Sequence, residues 1–209
     1  MKKILACILS IFLLATLAAC DPVDYVGQVA GTWVCKSPEA EEIRKMVLEN
    51  MDLYEEEIAL IKTPLYTAKT VTFNPDKTYT FAEDIPTLKG YLKEFYAGML
   101  KDLYEGRSAL TDVYETDVST MNEDDFYAYY ASIYEQENME ALIDALVENT
   151  YNFESFEPIE TGTYTIGSTK IMFDAEGTEN DGSVGYSLKD GQLKLEYNDG
   201  TESYTRLDQ

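Results

Sequence analysis

The sequence predicts a mainly β chain with helical insertions (α+β): about eight antiparallel strands in an up-and-down barrel, with two helical inserts capping one end. Three observations predict it. From 161 to 207, apolar residues fall at every second position, as in Tyr164/Ile166, Ile171/Phe173, Val184/Tyr186/Leu188 and Leu193/Leu195/Tyr197, and Gly-rich turns separate the runs. Period two gives a strand one buried and one wet face, the mark of an antiparallel sheet. The stretches 31–35 and 68–82 repeat the pattern and bring the count to about eight, an ordinary number for a closed barrel. Between these strands, residues 38–62 and about 87–150 switch to helical spacing.

The first element is a leader. Met1-Lys2-Lys3 and the apolar run Ile4 to Ala19 read as a signal peptide, 1–19, too short for an ordinary membrane span. It ends in Leu17-Ala18-Ala19-Cys20, which resembles the lipobox of bacterial lipoproteins. The resemblance implies cleavage before Cys20, diacylglyceryl attachment to its sulfur, and anchoring by palmitate-like acyl chains on the extracytoplasmic side of a bacterial cell membrane. Residues 20–30 are then a lipidated N-terminus and short tether, and 31–209 the domain. Cys7 leaves with the leader and Cys20 carries lipid, so Cys35 stands alone and no intramolecular disulfide is available.

Within the domain, Gly31-Thr32-Trp33-Val34-Cys35 reads as the first strand, stopped by Ser37-Pro38 as a helix start. Ile43, Val47, Asn50/Met51, Tyr54, Ile58 and Ile61 then recur at helical spacing until Pro64. Alternation on both sides of Asn74-Pro75-Asp76-Lys77 predicts a hairpin. Leu88, Leu92, Phe95, Met99 and Leu103 mark a long amphipathic helix, weakened by Gly90, Gly98 and Gly106 at about 1 kcal/mol each relative to Ala. Asn122 and Asn138 are candidate caps of two further helices. Tyr127, Tyr129, Tyr130 and Tyr134 crowd one of them, either as a binding surface or as rings packed on a neighbouring helix with their hydroxyls in water. In an up-and-down barrel alternate connections share an end, so both inserts belong at one mouth and the tight turns at the other.

Composition excludes several functions. The formal net charge is −23, about −25 once Lys2 and Lys3 leave with the leader, and such a field repels nucleic acid. There is no His, the commonest general base and metal ligand. No phosphate loop, nucleophile elbow or Cys/His metal pattern occurs, and the acidic loops at 122–125 and 174–181 lack the spacing of a calcium hand. The chain is therefore expected to be no enzyme and to hold no cofactor or metal.

Gly31-Thr32-Trp33 and Arg206 carry a resemblance to the lipocalin-like (calycin) barrels. They match the Gly-x-Trp that opens the family's first strand and the basic residue that packs over its Trp from the last strand. The resemblance implies barrel closure at Gly31, Trp33 and Arg206, and a small apolar or amphiphilic ligand within. It covers about 100 residues, and the chain departs from the family in lacking its usual disulfides, in its large helical insertions, and in its sixth-to-seventh strand turn. Cys35, Val71, Phe81, Tyr164, Phe173, Val184 and Tyr197 are the candidate mouth residues, with the helices as a lid. The alternative is a ligand-free protein- or glycan-interaction module at the cell envelope, its barrel filled by its own side chains and its Tyr-rich helices meeting the partner.

Overall fold

The computed structural model describes residues 23–39, 41–150, 157–176, 181–198 and 200–207; the leader, Cys20 and Asp21 lie outside them. Eight strands close into one antiparallel barrel in sequence order: β1 Gly31–Pro38, β2 Tyr66–Phe73, β3 Thr78–Glu83, β4 Glu160–Ile166, β5 Lys170–Ala175, β6 Asp181–Lys189, β7 Gln192–Tyr197 and β8 Gly200–Arg206. This is the order of a lipocalin-like barrel. Tight turns join β2–β3, β4–β5 and β6–β7 at one end, and both helical insertions leave from the other.

The closed end is built around Trp33. Trp33 pairs with Arg206 across β1 and β8, the guanidinium carbon lies 5.2 Å from the ring centroid, and Arg206 Nη2 donates to Ala30 O. Gly31 sits at φ +122°, and a Cβ there would come within 3.0 Å of that guanidinium, so the position requires glycine twice over. A plain tether is not what precedes it. Tyr25–Val29 (α1) forms a short helix capped by Asp24, whose carboxylate accepts from Gly27 N–H at 2.8 Å. Val29 is fully buried and its carbonyl accepts from Trp33 Nε1 at 2.7 Å. With Val26 it packs into the barrel core, so α1 plugs this end.

The first insertion is two helices rather than one, α2 Glu41–Glu49 and α3 Glu55–Leu60. β1 pairs on as far as Pro38 with Tyr66, which delays the start. Asp52 at φ +55° then breaks the run, a left-handed conformation that a helix interior cannot hold. The second insertion carries α4 Ile85–Gly106, α5 Glu123–Ile133 and α6 Met139–Thr150. Asn122 and Asn138 cap the last two as expected, accepting from Asp125 N–H at 2.9 Å and Ala141 N–H at 3.0 Å. Gly98 and Gly106 have a packing reason: a Cβ would meet the Thr63 side chain at 2.6 Å and the Leu60 side chain at 2.7 Å. Helix propensity is given up so that the two insertions can touch.

Two cores result. The barrel core holds Trp33, Val71, Phe73, Tyr79, Tyr164, Ile171, Leu193, Leu195 and Tyr204; the helical core holds Leu48, Leu92, Phe95, Met99, Leu103, Phe126 and Leu142 from both insertions. They meet on the outer wall of β1 and β2, where Ala68 is fully buried in the helical core and Val34 packs against it. Lys36 reaches from that wall over the Tyr66 and Tyr91 rings, at 4.4 and 4.2 Å. The helices thus lean on one side of the barrel.

Candidate functional site

The inward faces of the strands form layers of unequal character. Nearest the tight turns, aromatic side chains fill the lumen. Phe73 stands 5.0 Å from Tyr164 by ring centroid, and Tyr79 4.8 Å from Phe173. Further from the turns the packing opens into a cup of about 550 Å³. Its apolar wall is Phe81, Phe173, Ala175, Val184, Tyr197 and the Tyr204 ring, with Ile159 at the rim. Among the described residues the lining comes from the strands and Ile159, with no helical side chain, so the expected helical lid stands beside the mouth instead.

Charge enters the cup at inward positions near strand ends. Lys69, Glu160 and Glu202 line it, and Glu83 is the cross-strand partner of Lys69. Lys69 Nζ lies 3.4 Å from Glu202 Oε1, and Tyr204 donates to Glu202 Oε2 at 2.7 Å. Tyr79 donates to Glu160 Oε1 at 2.5 Å from the layer below. Burial first, and then the carboxylate each one serves, push the Tyr79 and Tyr204 phenols well above the usual tyrosine value, so both remain donors. Burial and the neighbouring Glu39 carboxylate likewise push Glu83 up, partly offset by Thr67 and Lys69.

Of the candidate mouth residues, Phe81, Phe173, Val184 and Tyr197 line the cup together. Val71 is 0% exposed and Cys35 4%, both packed in the barrel core. Tyr164 is 1% exposed and donates to Asn74 O at 3.0 Å, which turns it toward the tight-turn end. Alternation fixes which face a residue occupies, but strand tilt fixes its depth. The polar lining was missed, although Lys69 sits two residues before Val71 and Glu202 two before Tyr204, in the same inward phase.

A second polar centre lies among the helices. Glu57 is 2% exposed; its Oε1 accepts from Tyr114 and, at 2.7 Å, from Tyr130, and its Oε2 accepts from Tyr54 N–H at 2.8 Å. Tyr134 donates to Met51 O at 3.1 Å. The crowded tyrosines therefore pack on neighbouring helices, but Tyr130 reaches a buried carboxylate rather than water. Among the described residues, no group of three or more Cys, Asp or Glu side chains is placed to hold a metal ion, and no helix is long and apolar enough to cross a membrane. Residues 177–180 of the second acidic loop lie outside the described residues.

Compared with protein families, characterised proteins and solved structures, this chain matches none. The fold and the cup carry the functional reading by themselves.

Proposed function

We propose that this chain is a membrane-anchored extracytoplasmic lipoprotein whose lipocalin-like barrel binds an apolar or amphiphilic small ligand, without catalysing a reaction on it. The observation that carries the binding reading is the cup. Its volume of about 550 Å³ lies in the range of small-molecule pockets, and its wall is mainly aromatic and aliphatic with few polar groups. The alternative module needs free tyrosines on the helices, and three of the four crowded ones, Tyr127, Tyr130 and Tyr134, instead spend their hydroxyls on Glu123, Glu57 and the Met51 carbonyl.

Anchoring through Cys20 fixes an orientation. Asp24 caps the helix that plugs the closed end, and four residue steps from Cys20 span at most roughly 14 Å. The closed end then faces the bilayer and the cup opens away from it, so ligand exchanges with the aqueous side. Native mass spectrometry of the protein purified from its own host tests the binding reading. The expected result is a bound small molecule released on unfolding. A bare lipidated polypeptide that also takes up no hydrophobic probe would refute it. Cys20→Ser should move the protein from the membrane pellet to the soluble fraction; retention in the pellet would refute the anchor.

A further inference from the structure

Resting on the cup as a ligand site, we infer that its ligand carries a positive charge: an organic ammonium head on an apolar body. The cup holds one ammonium, Lys69, against the carboxylates of Glu202 and Glu160, with Glu83 beside Lys69. Lys69 is already engaged by Glu202 at 3.4 Å. Among the described residues Glu160 meets only a phenol, and its Oε2 retains capacity for a donor. A carboxylate ligand would therefore face two carboxylates and a lysine already taken.

An ammonium meets the opposite situation. Glu160 is the cross-strand partner of Phe81, whose ring lies 5.5 Å from that of Phe173 and 5.6 Å from that of Tyr79. A cation seated on Glu160 would thus lie beside this group of aromatic rings, whose quadrupoles attract positive charge at their faces. The apolar body would lie along Phe173, Val184 and Tyr197. The whole molecule adds to this selection, since a concave site in a chain of net charge −23 concentrates cations and depletes anions.

The test uses the chain from residue 20 onward with Cys20→Ser, which retains every described residue. Three probes share a dodecyl tail and differ in head: dodecylammonium, dodecanoate and dodecyl maltoside, each titrated calorimetrically at neutral pH, below its micelle concentration and at low salt. The ammonium should bind about tenfold or more tighter than dodecanoate, with maltoside between. Glu160→Gln should weaken ammonium binding several-fold and leave maltoside unchanged. Gly182 lines the cup and a Cβ there meets open space, so Gly182→Trp should fold and abolish binding of all three. Dodecanoate binding as tightly as the ammonium, or ammonium binding that survives Gly182→Trp, overturns the inference while maltoside uptake keeps the ligand-binding reading. Failure of all three probes overturns both.

Discussion

Replacing Glu57 by Ala tests whether the helical layer is held as one body by a buried carboxylate. Glu57 lies on α3 in the first insertion, while two of its donors, Tyr114 and Tyr130, belong to the second. The third, Tyr54 N–H, is an otherwise orphan donor at the start of α3. Truncation strands two phenols and one amide, each costing about 1–3 kcal/mol if left unsatisfied, and relaxation brings the sum to about 3–5 kcal/mol. For a domain of this size 1 kcal/mol moves Tm by about 2–4 °C, so the expected loss is about 6–20 °C. Glu57→Gln keeps one acceptor and should lose less. Thermal unfolding followed by near-ultraviolet circular dichroism reads both, and a double-mutant cycle with Tyr130→Phe should give a coupling of about 0.5–3 kcal/mol. A Glu57→Ala protein melting within about 2 °C of the parent, or a cycle with no coupling, would refute the pin.

Asp102 makes the same link at the surface, accepting from Lys62 N–H, Thr63 N–H and Thr63 Oγ1 at 2.8 Å each. Asp102→Ala should cost about 1–3 kcal/mol in urea unfolding. Burial pushes the Asp102 carboxyl up but those donors outweigh it and hold it below its usual value, so its contribution should be present above pH 3.8 and fade as pH falls through the lower folded value. At the other extreme, burial and nearby carboxylates raise Tyr79, Tyr114, Tyr130 and Tyr204, with Tyr134 pushed up to about 12. The folded state keeps protons that the unfolded chain releases, so stability should hold below pH 10 and fall above it, with tyrosinate absorbance rising in step with unfolding. Arg206→Ala removes the Trp33 stack and a donor to Ala30 O and should cost about 1–3 kcal/mol in thermal unfolding, yet leave the order of probe affinities unchanged.

Period-two alternation placed all eight strands, because each has one face in the lumen and one outside, and that contrast survives in the residue order. The same contrast is weak where an element is short or its burial is unusual. Five residues, Tyr25–Val29, are too few to show a helical period, although Val26 and Val29 lie three apart as one face requires. Glu57 is the last of three consecutive glutamates, and nothing in its type separates it from the two exposed ones before it. Its phase does: Leu53, Glu57 and Ile61 fall four apart along the buried stripe, with Leu53 and Ile61 packed in the helical core. Gly98 and Gly106 read as helix weaknesses because the partner they admit, Leu60 to Thr63, is distant in sequence.

The position of the helical layer explains why the barrel can hold a cup at all. A small barrel with this many inward aromatic rings would be expected to fill itself. In the lower layers it does, through Phe73, Tyr79, Tyr164 and the Trp33 closure sealed by α1. Toward the mouth the inward positions change to Lys69, Glu160, Gly182 and Glu202, which are too small to fill the lumen or too polar to pack there without partners. Had the insertions folded over this end, those charges would be buried against an apolar layer. Leaning on β1 and β2 instead, through Ala68 and Val34, the helices leave the charged rim in water. The charged side chains of the cup keep their hydration there, while the aromatic floor beneath them keeps the chamber apolar.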